Sequence, residues 1–493
     1  MPDNKMTNEY GDYINNDLDS LTVGQLGPTL LEDSQLISKL AAFNRERIPE
    51  RVVEARGCGA YGEFVLDKSL KDLTIAKFLQ TPGQRTPVFV RFSTFVLPSG
   101  SSEVVRDIRG MNIKFYTEEG NYDLLNIHIP VFYVKDAMKL PDLIHALKPS
   151  PVTNLIVPER TWTYFSNVPE TVNAITYLYG KYGIPANYIN MDGYSVCAYR
   201  WINQNGDVNY IKYHFVPQGG AKFLTKSEAR KIQSNTSASA TNNLYTQIYN
   251  KNYPKWDVYI QTLPENELDK FPFHPFDSTK EWREDVLPYQ KIGTLTLNKI
   301  PDNFFNDSDQ VAFDPGSFVN GIAASESKLL QGLLFAFPDA NRYRLGVNYP
   351  YLKVNMPLNG IHNYRQNGEM SIKNQKGEFN FYPNNDTSLP QVYNKDNYSQ
   401  YRAFVKGIVI SRYQNDYNDN YEQAGELYES YSDEEKEELV NNIYESLNGS
   451  PREVVEKMIY YFYVANPNYG QKVASKFSMN LKNIILKYDK SFE

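Results

Sequence analysis

Histidine and cysteine, which often serve as catalytic bases, nucleophiles or metal ligands, are few in this sequence, and they do not cluster. The histidines are His128, His145, His214, His274 and His362. None has the spacing of a metal-ligand pair, and no glycine-rich phosphate loop, Cys-x-x-Cys or His-Glu-x-x-His motif occurs. Arginines give a clearer signal: Arg91 and Ser93 share one face of a predicted strand, and Arg342 and Arg344 follow a Pro-Asp turn. An inward-pointing arginine needs an anionic partner, so these positions indicate ion pairs or an anion site.

These side chains must be positioned by a long strand-rich region, residues 51–299. Its segments 87–93, 110–117 and 129–134 combine β-branched and aromatic residues and end at Gly, Asn or Pro, which is typical of strands. Within this region, the low-complexity stretch 234–243 is predicted to be a loop.

The flanking regions differ in pattern from the strand-rich region. Residues 1–50 are polar and predict an extended arm, which another subunit would have to order. Residues 300–415 are rich in Pro, Asn and Gly and predict a wrapping segment. Residues 416–493 predict a helical domain, with capping boxes at Ser432–Glu435 and Ser450–Glu453.

The composition argues against several classes of partner. A formal net charge of −7 over 493 residues does not favour nucleic acid or an anionic membrane surface. The apolar runs are far shorter than the roughly 18 residues that cross a bilayer. Two cysteines and the absence of a leader-like start predict a cytoplasmic protein. The 39 tyrosines are most simply a compositional bias in which tyrosine serves as a half-buried strand residue, and the alternative is a surface suited to assembly.

Several segments carry a resemblance to a known family. The text Arg45-Glu-Arg-Ile-Pro-Glu-Arg-Val-Val-Glu-Ala-Arg-Gly-Cys-Gly-Ala-Tyr-Gly-Glu-Phe64 resembles the active-site signature of haem catalases. Arg91-Phe-Ser-Thr94, Phe313-Asp-Pro315 and Arg342-Tyr-Arg-Leu-Gly-Val-Asn-Tyr349 follow in catalase order, and the resemblance covers about residues 20–480. It implies an α+β fold: an eight-stranded antiparallel β-barrel with an N-terminal arm, a wrapping segment and a C-terminal helical domain. It also implies a homotetramer with interwoven arms.

The resemblance assigns catalytic roles to positions that are occupied here by other residues. The histidine that serves as general base corresponds to Glu54, and the asparagine that orients peroxide corresponds to Ile127. The neighbours of Ile127, Asn126 and His128, are expected to point to the opposite face of a strand. Only Ser93 matches its family position among these three catalytic sites.

The iron-ligand side is also substituted. The family's ligating tyrosine corresponds to Phe337, and the arginine one helical turn earlier corresponds to Leu333. Phenylalanine has no donor atom, whereas haem iron needs an axial His, Cys, Met or Tyr. The aromatic residue over the haem edge corresponds to Leu140. From these changes the sequence predicts that no haem, no metal and no other cofactor is bound.

Part of the cofactor environment is retained. Arg51, Arg91 and Arg344 match the arginines that bind the haem propionates, and Asp107 also matches its family position. We expect these arginines to pair with carboxylates such as Glu54 or Asp107, or to hold another small anion in the vacated pocket.

The nucleotide site of some catalases is largely substituted. Its basic positions correspond to Asn173, Tyr182 and Val216, with only His214 retained, so NADPH is not expected.

The leading hypothesis is therefore a haem-free pseudoenzyme with a catalase fold. It would form a homotetramer or larger assembly and serve a structural or ligand-binding role. The first alternative is a haem catalase or catalase-related peroxidase that decomposes hydrogen peroxide to water and oxygen with an unusual iron ligand, such as His128 or Glu54. The second is a different enzyme that uses Glu54 as acid or base, with Arg91 or Arg344 gripping an anionic substrate.

Overall fold

The computed structural model describes residues 4–372, 376–392 and 419–489. Contacts divide the chain into two compact units, Met1–Glu50 and Arg51–Glu493. The described part of the first unit, residues 4–50, contains one helix, α1 (Ser34–Asn44), and the Asp33 carboxylate caps it by accepting a hydrogen bond from the Leu36 amide. No residue of α1 is buried, and the side chains of Ile37, Leu40 and Phe43 are exposed.

The described part of the second unit contains an antiparallel sheet of ten strands. These are β1 (Gly57–Leu66), β2 (Arg85–Thr94), β3 (Arg109–Thr117), β4 (Gly120–Leu124), β5 (Gly193–Tyr194), β6 (Tyr199–Ile202), β7 (Val208–Pro217), β8 (Lys255–Pro264), β9 (Gln290–Lys299) and β10 (Ile322–Ala324). They are ordered β10-β6-β7-β8-β9-β1-β2-β3-β4, and β5 also pairs with β7. The alternating β-branched and aromatic residues of β2 and β3 fit this pleated, buried environment.

The sheet closes on itself near Ile127. This residue forms antiparallel bridges to Gly110 of β3 and to Tyr194 of β5. The Ile127 amide donates to the Tyr194 carbonyl at 3.0 Å, and the Tyr194 amide donates back at 2.7 Å. Because β4 and the Ile127 segment both pair with β3, and β5 and β6 both pair with β7, the ring has the eight strand positions that the resemblance implies.

Helices pack around the barrel. Some lie between strands in the sequence, and the others follow the last strand. The described helices of the second unit are α2 (Leu140–Leu147), α3 (Pro158–Asn167), α4 (Val172–Tyr179), α5 (Lys226–Gln233), α6 (Ser239–Tyr249), α7 (Lys328–Leu345), α8 (Glu422–Glu429), α9 (Asp433–Leu447), α10 (Arg452–Ala465), α11 (Pro467–Lys476) and α12 (Leu481–Tyr488). One apolar core includes the barrel interior and the buried faces of α9 to α12. Among the described residues, no helix is long and apolar enough to span a bilayer.

Two local predictions about helix starts had different outcomes. The capping box at Ser432–Glu435 is present at the start of α9. The one at Ser450–Glu453 was wrong, because α10 begins at Arg452 after Pro451 and the Ser450 hydroxyl has no hydrogen-bond partner. The domain boundaries at 299/300 and 415/416 remain predictions, and residues 393–418, where the second of these falls, lie outside the described residues.

Candidate active site

The polar residues of the candidate site lie on one face of the barrel wall. Val90 and Phe92 of β2 point into the apolar core, so the alternating residues Arg91 and Ser93 lie on the opposite face. Arg91 is directly opposite Asn112 of β3, and residues in such pairs point to the same side. The remaining partners on this face lack side chains, being Gly57, Gly59 and Gly110. These glycines allow close packing over Arg91, Ser93 and Asn112, since a Cβ added to Gly59 would lie 2.3 Å from the Phe89 ring.

Glu54 lies immediately before β1, at a strained backbone position with a φ of 61°. Its amide donates to the Phe95 carbonyl at 2.6 Å, and its Oε2 accepts a hydrogen bond from Asn112 Nδ2 at 2.6 Å. Burial raises the pKa of Glu54, and this effect is opposed by the charges of Arg91 and Arg51 and by the Asn112 bond. Glu54 is thus a buried acid held in one orientation.

Glu54 and Ser93 pack against the same glycine, Gly110. A Cβ atom added to Gly110 would lie 2.7 Å from Glu54 Oε1 and 2.6 Å from Ser93 Oγ. Ser93 is buried, and its hydroxyl has no hydrogen-bond partner among the described residues. The absence of a side chain at Gly110 therefore lets the Glu54 and Ser93 oxygen atoms lie close to its backbone.

The three arginines assigned by the resemblance lie close to one another. Arg51 Nη2 donates to the carbonyls of Ser308, Asp309 and Val311 at 3.0, 3.0 and 2.9 Å. Arg344 donates to the carbonyls of Asp309 and Val311. Among the described residues no direct ion pair joins these arginines to Glu54 or Asp107, although the charges of Arg91 and Arg51 lower the pKa of Glu54. Within the described residues their acceptors are main-chain carbonyls, since the adjacent loop brings carbonyl oxygens within reach.

Arg91 differs from Arg51 and Arg344 because some of its N–H groups have no hydrogen-bond acceptor among the described residues. Its Nη2 donates to the Ala55 carbonyl at 3.2 Å, while Nε and Nη1 are buried without a partner among the described residues. Burial lowers the pKa of all three arginines, and the pKa values of Arg51 and Arg344 are lowered further by charge repulsion, Arg344 to about 10. The site therefore has excess positive charge and two unfilled donors, which suits an anion.

Asp107, which also matches its family position, is occupied elsewhere. Its carboxylate accepts hydrogen bonds from the amides of Phe95, Val96 and Ile108. It therefore holds the loop after β2 in place.

The residues around Ile127 do not supply a replacement for the missing asparagine or histidine. His128 Nδ1 accepts from the Arg109 amide at 2.9 Å, and Nε2 lies 2.9 Å from the Tyr182 carbonyl, to which it can only donate. Burial lowers the pKa of His128 to about 3, so the ring is neutral. Asn126 Nδ2 donates to the Met111 carbonyl at 3.0 Å. Both side chains are engaged in holding the barrel closure.

On the other side of the site, α7 presents Leu333 and Phe337 one turn apart. Phe337 packs with an apolar cluster that includes Phe89, Tyr116 and Phe313, and Leu333 packs against the main core. The Tyr116 hydroxyl donates to the Val354 carbonyl at 2.6 Å. Within the described ranges, no group of three or more His, Cys, Asp or Glu residues could hold a metal ion.

The other positions that the resemblance assigned are dispersed. Leu140 begins α2 and packs against the main core. Asn173 is buried in α4 and donates to the Thr279 carbonyl at 3.1 Å. Tyr182 and His214, by contrast, line one cavity.

Asn112 is the residue of this site that sequence reasoning missed. Its position opposite Arg91 depends on the register of β2 and β3. Pairing the two predicted strands in this register would have placed Asn112 beside Arg91.

Solved structures define the class of fold. The chain superposes on a bacterial catalase with a TM-score of 0.90 and 33% identity, covering 96% of both chains. It superposes on catalase A from Saccharomyces cerevisiae with a TM-score of 0.91 and 33% identity, covering 97% of this chain and 99% of the other. The predicted α+β catalase fold is confirmed.

Sequence comparisons define the family. The Catalase family model matches residues 7–388, and the model described as Catalase-related immune-responsive matches residues 414–477. The catalase of Listeria seeligeri is 42% identical over 483 residues, covering 98% of each chain. The catalase of Vibrio cholerae is 42% identical over 97% of this chain and 94% of its own length. Catalase isozyme 1 of Solanum lycopersicum is 41% identical over 96% of each. The chain belongs to the catalase family.

These comparisons overturn the leading hypothesis of the sequence analysis. The prediction of a haem-free pseudoenzyme with no catalytic role and no cofactor was wrong, because relatives that match nearly the full length are catalases. The error came from giving a few substituted positions, chiefly Glu54, Ile127, Leu333 and Phe337, more weight than the similarity of the whole chain.

Haem is the group that this family implies, and the described residues can be tested against it. The buried donors of Arg91 fit an anionic edge such as a propionate. Phe337 does not fit as an axial ligand, since its ring has no donor atom. The charged end of the site thus suits the cofactor, while the position that the resemblance assigns to the iron ligand does not.

Proposed function

We propose that this chain is a haem-dependent oxidoreductase that decomposes hydrogen peroxide to water and oxygen, with an iron ligand other than the side chain at position 337. The observation that carries this proposal is the 42% identity to a catalase across 98% of both chains. When bound, haem supplies the redox chemistry, and the residues of the chain bind, orient and exchange protons.

Glu54 is the proposed proton acceptor and donor. A general acid or base works best when its pKa approaches the working pH, and burial shifts the pKa of Glu54 upward. Asn112 holds Oε2, and Oε1 lies beside Gly110, as Ser93 Oγ also does. A peroxide molecule that contacts these two oxygens would donate a proton to Glu54 and exchange a hydrogen bond with Ser93.

The arginines are the proposed anion cradle. Arg91 has unfilled donors, while Arg51 and Arg344 are fixed by carbonyls and contribute charge. Propionate groups would satisfy the Arg91 donors at low cost, because the arginine is already desolvated. A small anion other than haem is the second candidate for this position, supported by the same unfilled donors.

Assembly and location are also proposed. We propose self-association as a homotetramer or larger assembly, supported by the exposed apolar side chains of Ile37, Leu40 and Phe43 on α1. We propose a cytoplasmic location, supported by two cysteines, Cys58 and Cys197, that are buried and unpaired, as is common in reducing compartments.

The test is to express the full chain with an excess of haem precursor and to record its absorption spectrum and its oxygen release on adding peroxide. We expect a Soret band whose intensity corresponds to about one haem per chain, and a rate of oxygen release above that of free haem. An Arg91→Leu variant should retain less haem than the wild type, whereas a leucine variant of Arg85, an exposed residue on the same strand that pairs with Glu63, should not. A wild-type protein that takes up no haem and releases no oxygen would refute the proposal.

A further inference from the structure

A second cavity lies on the barrel wall away from Glu54 and the arginines. It has a volume of about 270 Å³ and is bordered by β5, β7 and the segment between β8 and β9. Its rings are those of His128, Tyr177, Tyr182, Tyr194, His214, Trp282 and Tyr289. This volume lies near the lower end of the range of about 300–1,000 Å³ typical of small-molecule sites, so the occupant should be small.

The aromatic wall is held rigidly. The rings of Tyr194 and His214 are stacked, with centroids 3.9 Å apart, and Tyr289 packs on His214 with centroids 5.1 Å apart. His214 Nε2 is fixed by Asp192 Oδ1 at 2.9 Å. Because these rings are held by one another, a ligand would meet preformed aromatic surfaces and would lose little affinity to reordering.

The charged groups that line the cavity are acidic. Asp192, Glu281 and Glu284 contribute carboxylates, and none of the described lining residues is a lysine or arginine. Glu281 accepts a hydrogen bond from the Tyr177 hydroxyl at 2.7 Å through Oε1. Two lysines outside the lining contact its rings: Lys212 Nζ donates to the Lys280 carbonyl at 3.1 Å and lies 5.2 Å from the centre of the Trp282 ring, and Lys181 Nζ lies 5.3 Å from that of Tyr182.

Aromatic faces combined with carboxylates are the chemistry that recognises organic cations. A ring face attracts a cation within about 6 Å of its centre, and the attraction grows when the cation is desolvated. A nearby carboxylate adds a charge partner, whereas it repels a phosphate. The aromatic rings and the carboxylates of this cavity therefore both favour a positively charged ligand.

We propose that this cavity binds a small organic cation carrying a primary or quaternary ammonium group. Its rings enclose the ammonium group, and Glu281 and Glu284 balance the charge. The proposal does not depend on peroxide chemistry, because neither Glu54 nor any of the three arginines of the other site lines this cavity.

The test compares two probes of nearly the same shape by calorimetry on the full chain. Choline carries a quaternary nitrogen, and 3,3-dimethyl-1-butanol has carbon at that position. We expect choline to bind about tenfold or more tightly than the neutral alcohol. Equal affinities would overturn the proposal, as would binding of NADPH with no binding of choline.

Substitutions of residues that line the cavity test whether choline binds there. Glu281→Gln and Glu284→Gln should each weaken choline binding, and Tyr289→Leu should weaken it through loss of a ring face. Asp285→Asn is the matched control, since this carboxylate is in the same loop, pairs with Arg283 and does not line the cavity. Glu284 is exposed, so its variant should fold even if Glu281→Gln does not. Unchanged choline affinity in the Glu284 and Tyr289 variants would refute the assignment.

Discussion

Replacing Glu54 by glutamine tests the proposed proton-transfer role directly. Glutamine keeps an oxygen that can accept the Asn112 hydrogen bond, so the side chain should stay in place. It cannot accept or donate the catalytic proton, and loss of a general base costs about 100- to 10,000-fold in rate. We therefore expect the rate of oxygen release to fall by at least about 100-fold while haem content is unchanged.

The pH dependence gives an independent readout. If ionised Glu54 accepts the proton, oxygen release by the wild type should rise as the pH passes upward through the raised pKa of Glu54. The Asn112 bond lowers this pKa, so Asn112→Ala should move the rise to higher pH. Glu54→Gln should abolish it. Glu63→Gln, on β1 and paired with Arg85, is the matched control and should leave rate and profile unchanged.

Replacing Glu54 by glutamine should lower activity without lowering the stability of the fold. Because the pKa of Glu54 is raised in the folded state, folding is favoured at pH values where the group is protonated. This contribution is lost as the pH rises from the unfolded value, about 4.3, through the folded one. Glu54→Gln should thus be at least as stable as the wild type at neutral pH in urea unfolding. A variant with wild-type rate and pH profile would refute the role of Glu54.

Three further substitutions test neighbouring features. Gly110→Ala places a Cβ 2.7 Å from Glu54 Oε1, so we expect lower oxygen release with the fold retained by circular dichroism; unchanged activity would show that this contact does not affect catalysis. Lys114→Met leaves the Asp123 carboxylate buried without its 2.7 Å ion-pair partner, which should cost about 3–5 kcal/mol in urea unfolding. A loss under about 1 kcal/mol would contradict that estimate. Ser432→Ala removes the α9 cap and should cost about 1 kcal/mol in the same assay.

The sequence predicts the fold better than the helix boundaries. Strand patterns and motif order indicate the barrel, because apolar alternation reflects burial on one face. The stretch 234–243 was predicted to be a loop, yet α6 begins at Ser239. Its Ala240, Leu244 and Ile248 are buried at helical spacing, so packing against the core outweighs the polar, low-complexity composition.

The site was harder to predict than the fold, for a geometric reason. Resemblance locates Glu54, Arg51, Arg91 and Arg344, but it does not give their hydrogen-bond partners. Main-chain carbonyls near residue 309 accept from two of the arginines, and carbonyls have no sequence signature. Substituted family positions show which atoms are missing at those positions, and they do not show what the rest of the site can do.

The closure of the barrel at Ile127 also bears on how this position can vary. The hydrogen bonds that join it to Tyr194 use only main-chain atoms, and the flanking amides of Met111 and His128 pair in the same way with Asn126 and Arg109. Any residue other than proline supplies those atoms equally well. The main-chain pairing at position 127 therefore excludes only proline, and what limits the choice of side chain is that it must fit the apolar core in which Ile127 is buried.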